Sequence, residues 1–178
     1  MFSRIALRST QAAQQIPRQS ISTPRTMLTA AKSLYTAKAS ATGGGRANGT
    51  AKSETTSFTV SIQPPGSESN TNPEELVALG YSTCFLGAMK VAAQQIGKSG
   101  PSDAAKSFAD VTLNSTDSKT SPFTISTHLT IEDTKHDIDT LVAVAKQTHT
   151  VCPYEIAFKG NIKQSFTAIA KDGKSESW

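Results

Sequence analysis

One stretch constrains this chain more than any other: Asn72 to Gly97, NPEELVALGYSTCFLGAMKVAAQQIG. It opens like a helix. Asn72 suits an N-cap, Pro73 suits the first helical position, and Glu75 stands three residues after the cap, as in a capping box. Glu74 and Glu75 also suit the positive end of the helix dipole. From Leu76 to Ala93 the only charged side chain is Lys90. A helix apolar on nearly every side belongs in a core. Ser82, Thr83 and Lys90 interrupt a run already short for a bilayer, so no membrane insertion is expected. The middle of the stretch holds Cys84, one of two cysteines in the chain.

A chain of 178 residues suffices for one domain with a sizeable core. Its net charge is +4, but the surplus is local. Arg4, Arg8, Arg18 and Arg25 fall in the first 30 residues, and no acid precedes Glu54. Without those four arginines, basic and acidic side chains number 14 each. The folded part is therefore close to neutral, which argues against nucleic acid as a partner. Residues 1–32 are rich in Arg, Ser and Thr, acid-free, and dotted with Phe, Ile and Leu. These are the marks of a mitochondrial transit peptide. A secretory signal would need a continuous apolar core. The plainer reading is a basic tail with no address. Met27 offers an internal start that would yield a leaderless cytosolic form.

The rest divides into 33–170, a single domain, and 171–178, a polar and frayed tail. Ser33 to Thr42 is extended in character. Gly43-Gly44-Gly45 then makes a loop that presents Arg46. No Lys-Ser/Thr follows at phosphate-loop spacing. Taken alone, Arg46 reads first as an ordinary exposed arginine. Ala51–Glu54 and Phe58–Ile62 read as strands, the second alternating Phe58, Val60 and Ile62 with polar residues. After the central helix, Phe108–Ser115 and Pro122–Ile131 read as an antiparallel pair. A second helix runs from a cap at Asp137 to about Thr150, ended by Pro153. Asn161–Ala170 is a last strand. The fold class is α+β, an antiparallel sheet packed on a buried central helix. One small sheet cannot cover such a helix, so a homodimer is expected.

Cys84 and Cys152 admit three readings. They are two buried structural thiols, a metal site, or a redox pair. Metal is the poorest, because Cys84, Cys152 and His149 give at most three ligands without paired spacing. A reactive Cys84 needs a cation. It sits too deep in its helix for the dipole, and Lys90, six residues on, faces elsewhere by roughly 120°. The cation must come from another segment. Arg46 held by Glu74 fits that need.

Four stretches then carry a family likeness: LYTAKASATGGGR (Leu34–Arg46), NPEELVALGYSTCFLGAMK (Asn72–Lys90), VCPY (Val151–Tyr154) and KGNI (Lys159–Ile162). In order and separation they resemble the organic hydroperoxide resistance proteins of the OsmC-like superfamily. The resemblance implies an intertwined homodimer with two active sites at the subunit interface. It implies a thiol peroxidase that reduces alkyl and lipid hydroperoxides, with Cys84 peroxidatic and Cys152 resolving. Arg46 and Glu74 match the family's arginine and glutamate. No bound cofactor is implied. An external dithiol, dihydrolipoamide or a lipoylated protein, is the implied reductant. Phe85 and Met89 are expected to wall the peroxide pocket. Two rivals stand beside this reading: a thiol sensor without turnover, and an OsmC-type peroxidase with another peroxide preference. The chain departs from the family with three glycines where many relatives have two. It also carries Glu75 where Gln is common and Glu155 where a small polar residue is common.

Overall fold

The computed structural model describes residues 32–66 and 71–178. The expected transit peptide, with Met27, lies outside them but for Lys32. Ala37–Trp178 form one compact unit. Its elements are β1 (Ala39–Gly43), β2 (Gly49–Ser53), β3 (Thr59–Ile62), α1 (Pro73–Gln95), β4 (Lys106–Ser115), β5 (Phe123–Asp133), α2 (Ile138–Thr148), α3 (Pro153–Phe158), β6 (Lys163–Ala170) and β7 (Ser175–Ser177).

Helix α1 starts as its sequence dictates. The Asn72 side chain accepts from the Glu75 N–H at 3.0 Å, and Pro73 occupies the first turn. Such a cap stabilises a helix by about 1 kcal/mol. The return half of the capping box is absent: the Glu75 carboxylate takes the Thr71 hydroxyl instead. One stripe of α1, Tyr81, Phe85, Met89 and Ala92-Ala93, is buried. It packs with Leu129 and Ile131 of β5, Phe166 and Ala168 of β6, and Leu141, Val144 and Ala145 of α2. Burying each large side chain contributes about 2 kcal/mol.

The opposite face of α1 is open in the single chain. Leu79 is 62% exposed and Val91 46%. A single chain was expected to leave part of this helix uncovered, and it does. By length and composition alone α1 could cross a membrane, as no other helix does among the described residues. Its buried stripe instead carries the domain core.

The strands form two sheets. The first, β1-β2-β3, is antiparallel throughout, and all five residues of β1 are exposed. The second has the order β4-β5-β6-β7. In β5, Thr127, Leu129, Ile131 and Asp133 face inward while their neighbours face out, as the alternation predicts. One ladder departs from the antiparallel expectation. β5 and β6 run parallel, from Ser126↔Lys163 to Asp133↔Ala170. The helices between them form the crossover that parallel neighbours require.

Two further corrections concern the chain after Thr148. Pro153 does not merely end α2. It opens α3, because proline fits the first helical position as well as it stops a helix. The tail is not frayed. β7 pairs with β6 (Thr167↔Ser177, Ile169↔Ser175) across a turn at Gly173, whose φ is +77°. Trp178 closes it by two backbone bonds to Phe166, at 3.0 and 3.1 Å, and by stacking on that ring.

Candidate active site

Central to the site are two sulfurs. Cys84 lies half-buried in the middle of α1, and Cys152 is fully buried as the N-cap of α3. Both are free thiols, and the Cys152 S–H points to the Cys84 sulfur at 3.5 Å. A spacing of 68 residues says nothing of this closeness; packing of α3 on α1 makes it. Gly80 permits that packing. A Cβ there would lie 2.6 Å from the Tyr154 hydroxyl. Tyr154 stacks on Tyr81, and Phe158 meets the same ring edge-on. Burial pushes the Cys152 thiol up to about 11, against the backbone N–H groups of Glu155 and Tyr154, which favour the thiolate. At neutral pH Cys152 is therefore a thiol.

Arg46 stands at the centre of the β1–β2 loop, whose turn uses Gly43 at φ +78°. Its guanidinium forms a two-pronged bond to Glu74: Nη1–H to Oε2 at 2.8 Å and Nη2–H to Oε1 at 2.7 Å. That bond raises the Arg46 pKa and lowers that of Glu74. The pair lines a cleft of about 850 Å³ together with Pro64, Ala78, Ala109, Val111 and Leu113. Cys84 does not line this cleft. Glu74 precedes Cys84 by ten residues, roughly 15 Å along the helix at 1.5 Å per residue. The structure thus brings together two pairs, Cys84 with Cys152 and Arg46 with Glu74, and keeps the pairs apart within one chain.

Phe85 and Met89 are fully buried in the core. They back the helix and do not line the cleft beside Arg46. One residue on from Cys84, Phe85 points about 100° away around the helix, which carries it inward. No cluster of three or more metal-ligating side chains exists among the described residues.

A family model described as OsmC-like protein matches residues 66–166. The organic hydroperoxide resistance protein of Xanthomonas axonopodis pv. citri is 36% identical over 142 residues, covering 76% of this chain and 95% of that protein. The chain belongs to the OsmC-like family. Solved relatives agree in fold. The organic hydroperoxide resistance protein OhrB of Bacillus subtilis matches with a TM-score of 0.67 at 26% identity, over 76% of this chain and 99% of that one. A protein of the same description from Elizabethkingia anophelis matches with 0.67 at 29%, over 77% and 97%. This OsmC-like chain carries a polar cluster behind its sulfurs that sequence reading missed. Glu155 and Thr148 are buried, and Glu155 meets Tyr81, Gln164 and His149. The only sequence signal was Glu155 itself, an acid three residues after Cys152.

Proposed function

We propose that this protein is a cysteine-based peroxidase that reduces organic hydroperoxides to alcohols. The observation that carries the reading is the pair of free sulfurs 3.5 Å apart, one reachable and one buried. Its organic hydroperoxide resistance relatives support the substrate class. The Cys84 thiolate attacks the terminal peroxide oxygen. The O–O bond breaks, the alkoxide leaves and takes a proton, and Cys84 becomes a sulfenic acid. Cys152 then attacks that sulfur. An S–S bond forms, the S–O bond breaks, and water leaves. An external dithiol, a lipoyl group in the preferred case, exchanges with the disulfide and returns both thiols.

Arg46, oriented by Glu74, favours the Cys84 thiolate and holds the peroxide oxygens. Within one chain it stands too far from Cys84 for either task. The reading therefore includes a second copy: each Arg46–Glu74 pair serves the partner's Cys84 in a homodimer. The apolar cleft beside the pair receives the alkyl part of the substrate. Residues 1–32 direct the protein to the mitochondrial matrix.

Intact mass after one equivalent of alkyl hydroperoxide tests the assignment. The wild type is expected to lose two hydrogens. Cys152→Ser should gain one or two oxygens at Cys84, having no internal thiol to trap the sulfenic acid. Cys84→Ser should not react fast, because a serine hydroxyl is hardly ionised near neutral pH. Fast oxygen gain at Cys152 in Cys84→Ser would reverse the roles. Steady turnover with dihydrolipoamide separates an enzyme from a sensor, and comparison with hydrogen peroxide separates the organic preference from another.

A further inference from the structure

The reaction just described leaves unused a carboxyl buried close to both cysteines. Glu155 is only 3% exposed. Its Oε1 meets the Tyr81 hydroxyl and accepts from Gln164 Nε2 at 3.1 Å. Its Oε2 is 2.8 Å from Nδ1 of His149. The other nitrogen of that ring, Nε2, accepts the indole N–H of Trp178 at 3.1 Å. Indole only donates, so Nε2 carries no proton and His149 is the neutral tautomer with its proton on Nδ1. An imidazolium would aim two N–H groups at each other. Burial drives His149 the same way, and pushes the Glu155 carboxyl up to about 7 against the Gln164 bond and the charge of Lys159.

The cluster is placed where it can control the sulfurs. Tyr81 precedes Cys84 by three residues and Glu155 follows Cys152 by three. Their bond therefore joins the two segments that carry the thiols, about one helical turn from each. Trp178 in turn is held by its ladder to Phe166, by Lys146 at 5.1 Å over the indole, and by the Lys146–Glu176 ion pair at 2.8 Å. The end of the chain is thus wired to the N-cap of α3.

We propose that Trp178, His149 and Glu155 are positioning residues in series: through Tyr81 and Gln164 they hold α3, and with it the Cys152 sulfur, against Cys84 for disulfide closure. This rests on the peroxidase reading. Closure must shrink the sulfur gap from 3.5 Å to about 2.05 Å. A Cys152 that wanders leaves the sulfenic acid to a second hydroperoxide, which oxidises it to sulfinic acid while releasing a second alcohol.

The test compares Trp178→Phe, Glu155→Ala and the double variant by rapid mixing with an alkyl hydroperoxide. It follows sulfenic acid formation and disulfide closure separately, with intact mass under excess peroxide. The first step should stay at the wild-type rate in all three. Closure should slow about five- to ten-fold in Glu155→Ala and less in Trp178→Phe, the scale of one or two lost hydrogen bonds, with sulfinic acid accumulating. Residues acting in series are not additive, so the double variant should close no more slowly than Glu155→Ala. A role in packing alone makes the losses add. Trp178→Phe keeps a ring on Phe166 and serves alone should Glu155→Ala not fold. Wild-type closure in Trp178→Phe, or additive losses, overturns the proposal. A wild type that forms no disulfide overturns the peroxidase reading instead.

Discussion

Two buried carboxyls in this domain titrate in opposite directions, and the reason is local. Asp133 is also buried, which raises its pKa. Yet it accepts from the Ser102 and Lys135 backbone, the Ser102 hydroxyl and His136 Nδ1, all within 2.9 Å, and these bonds hold it at about 2. Its contribution is present above pH 4 and is lost as pH falls toward 2, about 2 kcal/mol for a shift of this size. Thermal melts of Asp133→Asn should lose the wild type's steepest decline below pH 4. Glu155 behaves oppositely. Its folded form holds the proton more tightly than the unfolded chain, so its contribution falls as pH rises from about 4.5 to about 7. Melting of Glu155→Gln relative to wild type should therefore improve across that window. A constant difference would mean that Glu155 is not titrating there. For Arg46→Ala, we expect the first oxidation step to slow about 100-fold, and for Glu74→Ala about ten-fold, through a loosened guanidinium. Rapid-mixing rates with alkyl hydroperoxide measure both. Arg46→Ala at the wild-type rate would mean a different cation. The pairing of Arg46 with Glu74 was legible, since a glycine loop offers a cation and a helix start offers a carboxylate. Glu155 and Trp178 were not legible, since only the fold brings each onto His149.

At the scale of elements, the sequence is legible where one local rule acts alone. Helix α1 begins on its cap and β5 alternates as its residues do. The rule fails where a residue has two meanings. Pro153 stops one helix and starts another. The polar run after Ala170 hides Asp172-Gly173, a hairpin turn signal, and leaves a single indole as the anchor of β7. The approach of α3 to α1 was illegible as well, because it depends on the missing side chain at Gly80. That gives a prediction. Gly80→Ala puts a methyl 2.6 Å from the Tyr154 hydroxyl, which must move, and α3 is expected to shift with it. Disulfide closure should slow while oxidation of Cys84 proceeds. A closure rate equal to wild type would show that Tyr154 yields without moving α3.

The whole molecule poses a different question, because one chain looks unfinished. β1 is exposed along its length, Phe58 just before β3 is 53% exposed, and α1 leaves Leu79 and Val91 uncovered. The Arg46–Glu74 pair and the sulfur pair sit on the same helix but about three turns apart. If each site is completed by a second copy, defects in different chains must complement. Consider Arg46→Ala, slowed about 100-fold alone, mixed with Cys84→Ser, inactive alone. In the hybrid dimer one site combines alanine with serine and is dead. The other combines the intact Arg46 of one chain with the intact Cys84 of its partner, and works. Refolding the two variants together at equal ratio gives half hybrids, each with one live site, so about a quarter of wild-type activity should return by the pairing statistics of a C2 dimer. Differently tagged chains allow the hybrid to be purified and assayed. If each site lies within one chain, every site in the hybrid lacks either the arginine or the nucleophile, and no activity returns. That outcome would put Arg46 and Cys84 of one chain in the same site, against the ten-residue separation of Glu74 and Cys84 along α1.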